Sequence, residues 1–114
     1  MMTYNDEISM FDQITKDMAE TFARKRQDYG ASTTETWLKF GPVSMCTRMH
    51  DKMNRIDNLL ISRKDAAVKD EKIEDTLLDL ANYAIIAIIE LAKERERFKL
   101  LNSQKKGEVK DKDE

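Results

Sequence analysis

The stretch from Leu77 to Ala92 constrains the fold more than any other part of the chain. Its residues are apolar on nearly every side of a helix, and Asp79 and Asn82 lie inside it. A helix that is apolar all round must be covered on several sides. Capped by Asp70 and helical to about Leu101, the element has roughly 31 residues and is about 46 Å long. A compact chain of this size has a radius of gyration near 13 Å. Such a helix overruns the monomer, and three other helices can hardly cover it. Self-association through this last helix is therefore expected.

The rest of the chain also reads as helix. Asn5 is a cap candidate, with Asp6 and Glu7 in the positive first turn. Ile8, Phe11, Ile14, Met18 and Phe22 then recur every three or four residues, which marks one helix face near residues 6–28. Gly30 is the expected stop. Ser32, Thr33 and Thr34 precede a short helix through Trp37 and Leu38, and Gly41-Pro42 closes it and opens the next one. Met45, Met49, Met53, Ile56 and Leu60 form the stripe of a helix near 42–62. Residues 102–114 carry Lys105, Lys106, Lys110 and Lys112 against Glu108, Asp111, Asp113 and Glu114 and almost no apolar groups. They are expected to be a disordered charged tail behind one domain over residues 1–101.

Composition excludes several function classes. Three glycines and one proline in 114 residues cannot furnish the hairpins of an all-β fold. The fold class is all-α: three long helices plus a short one. Cys46 is alone, which rules out an internal disulfide framework and a multi-cysteine zinc site. A net charge of −2 gives no signal for nucleic acid. No apolar run is long enough for a membrane span, and the acidic N-terminus is not a secretory pattern. A cytoplasmic protein is expected.

Three constellations can carry chemistry. Glu71, Asp75, Asp79 and Asn82 step by four, four and three and share one helix face. A carboxylate in an apolar stretch is costly unless it is paired, hydrogen-bonded or on a metal. The cluster therefore reads either as a cation or ligand site, with Glu71, Asp75 and Asp79 as metal ligands, or as first-turn electrostatics with one internal salt bridge. Arg48, Lys52 and Arg55 step by four and three. They read either as a phosphate clamp or as partners of Asp75 and Asp79 across two packed helices. His50 lies on the same helix, and a lone histidine is more often a packing or surface residue. The third constellation is Arg24 to Gly30 followed by Trp37 and Phe40. Tyr29 and Trp37 are candidate base contacts, against the more common role of aromatics as core.

The segments Lys25 to Gly30, Arg48 to Arg55 and Asp70 to Tyr83, in that order, resemble the nucleotide-modification-associated domain proteins of phage and bacteria over about residues 22–92. Those proteins are in turn similar to the all-α MazG-like and dimeric dUTPase pyrophosphohydrolases. That likeness implies dimers or tetramers, Mg2+ held by carboxylates of two helices, and nucleotide phosphates on the metal. Asp75 and Asp79 fall where the group places the acids of its second metal helix, although the spacing there is usually Glu-x-x-Asp. On the preceding helix the group has Glu-Glu-x-x-Glu, where this chain has Asp51-Lys52-x-x-Arg55. A cation at those positions can neutralise phosphate directly, whereas hydrolysis leans on a metal to activate water.

The expected function is nucleotide binding in nucleotide metabolism or modification. A metal-dependent nucleoside triphosphate pyrophosphohydrolase is its enzymatic form. A non-catalytic binder, such as a signalling-nucleotide sponge or a regulator, is the alternative, and a helical interaction module is a third.

Overall fold

The computed structural model describes residues 1–29, 31–62 and 73–112, and of residues 28, 29, 62 and 106–112 the backbone alone. Helix α1 spans Tyr4–Tyr29, α2 Ser32–Phe40, α3 Val43–Ile56 and α4 Ile73–Lys112; a π-helical turn, Asp57–Ser62, continues α3. The described secondary structure is all helical, as the scarcity of glycine and proline requires. The expected cap Asp70, the expected metal ligand Glu71 and the expected stop Gly30 lie outside the described residues.

Local chemistry sets the helix ends. α1 is capped by Thr3 rather than Asn5. The Thr3 Oγ1 accepts the Asp6 N–H at 3.1 Å, and the Thr3 N–H donates to Asp6 Oδ2 at 2.9 Å. This reciprocal pair satisfies two donors that the helix start leaves open, and Asn5 sits too far into the turn to do the same. The Thr3 backbone N–H, and after it the Thr3 hydroxyl, hold the Asp6 carboxyl below its ordinary value. At the other end of α2, the Gly41 N–H donates to the Trp37 carbonyl at 2.7 Å with φ at +75°, a conformation that favours glycine. Pro42 then leads into α3, as its fixed φ allows.

α3 packs most extensively on α4, α2 bridges the two, and α1 meets α4 along a narrow strip. Trp37, Met45 and Ile56 are the buried apolar residues among those described. Met45 thus takes the packing role rather than a ligand surface. A polar network lays α2 on α4. Thr34 Oγ1 donates to Glu90 Oε1 at 2.8 Å, the Trp37 indole N–H donates to Glu94 Oε1 at 2.8 Å, and Lys93 Nζ donates to Thr34 Oγ1 at 2.8 Å.

α4 runs eleven residues beyond Leu101, where the sequence reading ends it. Lysine, glutamate and glutamine are good helix formers, and Gly107 is the sole glycine there. Residues 98–105 are exposed, so what this segment lacks is neighbours, not propensity. At 1.5 Å per residue, the 40 residues of α4 account for most of the 71 Å long axis. The radius of gyration is 20.2 Å, against roughly 13 Å for a compact chain of this length. The accessible surface is 9570 Å², where a compact monomer of this mass exposes about 6,500 Å².

Candidate functional site

α1 and α4 lie side by side, and the trough between them holds a row of cavities. The first has a volume of about 330 Å³, at the lower end of the range for ligand sites. Ile14, Met18 and Leu78 give it apolar walls, and Asp17, Asp75 and Asp79 supply carboxylates. The second, of about 190 Å³, has the opposite sign: Lys25, Arg26 and Arg48 face it together with Thr33, Asn82 and Tyr83. Lys25 and Asn82 line both cavities. Beyond the second lies a recess of about 30 Å³ that reaches Glu90 and Lys93. An apolar gap of about 200 Å³, walled by Met18, Phe22, Ile85 and Ile89, opens beside Asn82 as well.

Each helix delivers its side chains by its own period. On α1, Ile14, then Asp17 and Met18, then Thr21 and Lys25 recur turn by turn, so one face carries apolar residues, an acid and a cation together. On α4, Asp75, Asp79 and Asn82 lie on one face, as their spacing predicts. Arg48 reaches in from α3, its guanidinium carbon 5.9 Å from the centre of the Tyr83 ring. That contact is within cation–π range and holds the charge over the second cavity.

The sequence candidates divide into two groups. Asp75, Asp79, Asn82 and Arg48 come together around the two cavities. Lys52 joins them indirectly, with its Nζ 3.0 Å from Asp79 Oδ2. That ion pair is half-open: the Asp79 side chain is 45% exposed and that of Lys52 14%. Arg55 is partly buried and itself engaged, and it lines none of these cavities. Trp37 does not reach the trough. It is 3% exposed and its one donor is spent on Glu94, so it anchors α2 instead of stacking on a base. Tyr29 ends α1, and its side chain lies outside the described residues. His50 is exposed and lines none of these cavities.

The carboxylates do not yet make a metal centre. Among the described residues no three His, Cys, Asp or Glu side chains stand close enough together to hold an ion. Asp79 is meanwhile paired with Lys52 at 3.0 Å. Sequence reasoning missed Asp17, Tyr83 and Glu90, and it named Lys25 and Arg26 only within the run Arg24 to Gly30. Asp17 was legible, because it shares the α1 face with Ile14, Thr21 and Lys25. Glu90 was not, because only packing brings Thr34 of α2 and Arg26 of α1 beside it.

The profile of the nucleotide modification associated domain 1 family matches residues 25–91. The chain belongs to this family. The matched span begins at Lys25 and ends just past Glu90, so it contains Arg26, Arg48, Asp75, Asp79, Asn82, Tyr83 and Glu90, while Asp17 lies before it. The family's description ties the chain to nucleotide modification. No curated protein and no solved structure matches the chain. Among the described residues no helix is long and apolar enough to cross a membrane.

Proposed function

We propose that this chain binds a nucleotide in the trough between α1 and α4. One observation carries the reading: an acidic, apolar-walled cavity and a basic cavity adjoin and share Lys25 and Asn82. A nucleotide has the same polarity, with a flat apolar base at one end and phosphates at the other. The phosphates belong with Lys25, Arg26 and Arg48, where guanidinium forks match their oxygens. Asn82, at the junction, can donate and accept. Asp75 and Asp79, with Glu71, are the proposed ligands of a Mg2+ ion, which would have to displace Lys52 from Asp79. The family membership supports a role in nucleotide modification or metabolism, and the phage setting belongs to this reading too.

Binding without hydrolysis is favoured over the pyrophosphohydrolase reading, because Lys52 occupies Asp79 at 3.0 Å. An ammonium can offset phosphate charge, but it cannot activate water as a metal does. The test is a panel of nucleoside mono-, di- and triphosphates with and without Mg2+, read by thermal shift and by release of phosphate or pyrophosphate. A shift without turnover is expected. Turnover would move the reading to the hydrolase, and no shift for any nucleotide would leave a helical interaction module.

Self-association is part of the same reading. Leu77, Ala81, Ala84, Ile88 and Leu91 alternate at steps of four and three along α4 and are all exposed, the spacing of a coiled-coil seam. The surface exceeds that of a compact monomer by about 3,000 Å². A standard interface removes roughly 800 Å² per partner. A second copy seated on α4 would also cover the open side of the trough at Ile85.

A further inference from the structure

We propose that Glu90 selects the ligand: its unpaired carboxylate oxygen accepts a hydrogen bond from a hydroxyl or amino group of the phosphorylated molecule held by Lys25, Arg26 and Arg48. The proposal rests on the nucleotide reading above and adds a specificity residue to it. Glu90 is 2% exposed. Its Oε1 accepts from Thr34 Oγ1 at 2.8 Å and from Lys93 Nζ at 3.2 Å. Its Oε2 is buried and has no hydrogen-bond partner. An orphaned buried acceptor calls for an explanation, because such groups are nearly always satisfied.

The recess beside Glu90 supplies one. It measures about 30 Å³, above the roughly 10–15 Å³ that a single water needs. One functional group fits there, and a base or a phosphate does not. The recess also shares Phe22, Arg26, Thr33 and Ile86 with the basic cavity. A phosphate bound in that cavity therefore brings a substituent attached to it into the recess. Arg26 and Lys93 line the recess and repel a metal ion, while the carboxylate repels an anion. An ionised carboxylate only accepts hydrogen bonds, so the occupant must be a neutral donor. Ribose hydroxyls and base amines both qualify; an amine there would place the base at the recess rather than against the apolar walls of the first cavity.

The experiment compares three probes by isothermal titration calorimetry: inorganic pyrophosphate, ribose 5-phosphate and adenosine triphosphate. Pyrophosphate tests the cations alone, ribose 5-phosphate adds hydroxyls, and the triphosphate adds the base amine. In Glu90→Gln the amide oxygen must stay with its donors Thr34 and Lys93. The amide NH2 then takes the place of the unpaired Oε2 and would meet the ligand's donor with another donor. Pyrophosphate is expected to bind this variant within about 2-fold of the parent chain. At least one donor-bearing probe is expected to bind roughly 10- to 100-fold more weakly, the span of a hydrogen bond to a charged group. Loss with ribose 5-phosphate assigns a hydroxyl; loss with the triphosphate alone assigns the amine. Glu90→Asp keeps the charge, withdraws the carboxylate by one methylene and is expected to give the same pattern, which guards against a Glu90→Gln chain that does not fold. Equal effects on all three probes, or no effect on any, would overturn the proposal and leave Glu90 holding a structural water only. If the parent chain binds none of the probes, the nucleotide reading itself falls, and this inference with it.

Discussion

Replacing Asp79 by asparagine separates a structural ion pair from a ligand site. The substitution keeps the shape and removes the charge that faces Lys52 Nζ at 3.0 Å. Breaking a fully buried pair costs roughly 3–5 kcal/mol, whereas an exposed pair contributes about 0–1 kcal/mol. The Asp79 side chain is 45% exposed and that of Lys52 14%. Water therefore screens the carboxylate and can reach part of the ammonium, and the neighbouring Asp75 no longer faces a like charge. The loss should be about 1 kcal/mol. With an unfolding entropy near 2.1 cal/mol/K per residue, that lowers the melting temperature by roughly 4–5 °C. Binding should change in a direction that reports the role. Without a divalent cation, pyrophosphate should bind more tightly, because Lys52 is released and a negative charge leaves the trough. With Mg2+, the additional ligand-induced shift should shrink. The assay is thermal unfolding of both proteins with pyrophosphate, with and without Mg2+. A fall beyond about 12 °C in the unliganded variant, with unchanged ligand shifts, would refute the reasoning. Asp79 would then be a buried structural charge outside any site.

Three further outcomes follow from particular contacts. Ile88→Glu places a charge on a side chain that is 65% exposed in the single chain, so a monomer would tolerate it; sedimentation should instead show a shift from dimer or higher species to monomer, and a parent chain that sediments as a monomer would refute the association. Truncation after Asn102 should change the melting temperature by less than about 2 °C, because residues 98–105 are exposed and little apolar area is at stake; a drop of many degrees would mean that the end of α4 is docked. The Asp6 carboxyl is held below 3.8 by the Thr3 cap. A depressed folded value contributes stability above the unfolded value, and that contribution is lost as pH falls through the folded one. The exchange protection of the Asp6 and Glu7 amides, relative to their intrinsic rates, should therefore fall below about pH 4, and Thr3→Val should show the lower protection already at neutral pH.

Much of the site lies on single helices, and that part was legible in the sequence. Asp75, Asp79 and Asn82 share a face because α4 is helical, whatever packs against it. The same holds for the Met45 and Ile56 stripe of α3. The all-α class follows from the scarcity of glycine and proline, whereas the end of α4 lies eleven residues beyond the Leu101 that its apolar pattern suggests. Tertiary structure decided which faces meet. Trp37 was an equally good base contact or core residue by composition, and its burial against α4 with the indole bound to Glu94 made it core. Lys25 and Arg26 read as cations at the end of α1 until the crossing of α1 and α4 turned them toward Asn82 and Tyr83. Glu90 sits in the most apolar stretch of the chain, and nothing in its neighbours along the sequence marks it as more than an interruption. Its importance comes from Thr34 and Arg26, which lie on other helices, together with Lys93 one turn further along α4. Periodicity fixes what one helix presents, because backbone geometry is local. Which helix receives it depends on packing between distant segments, and that packing built the trough.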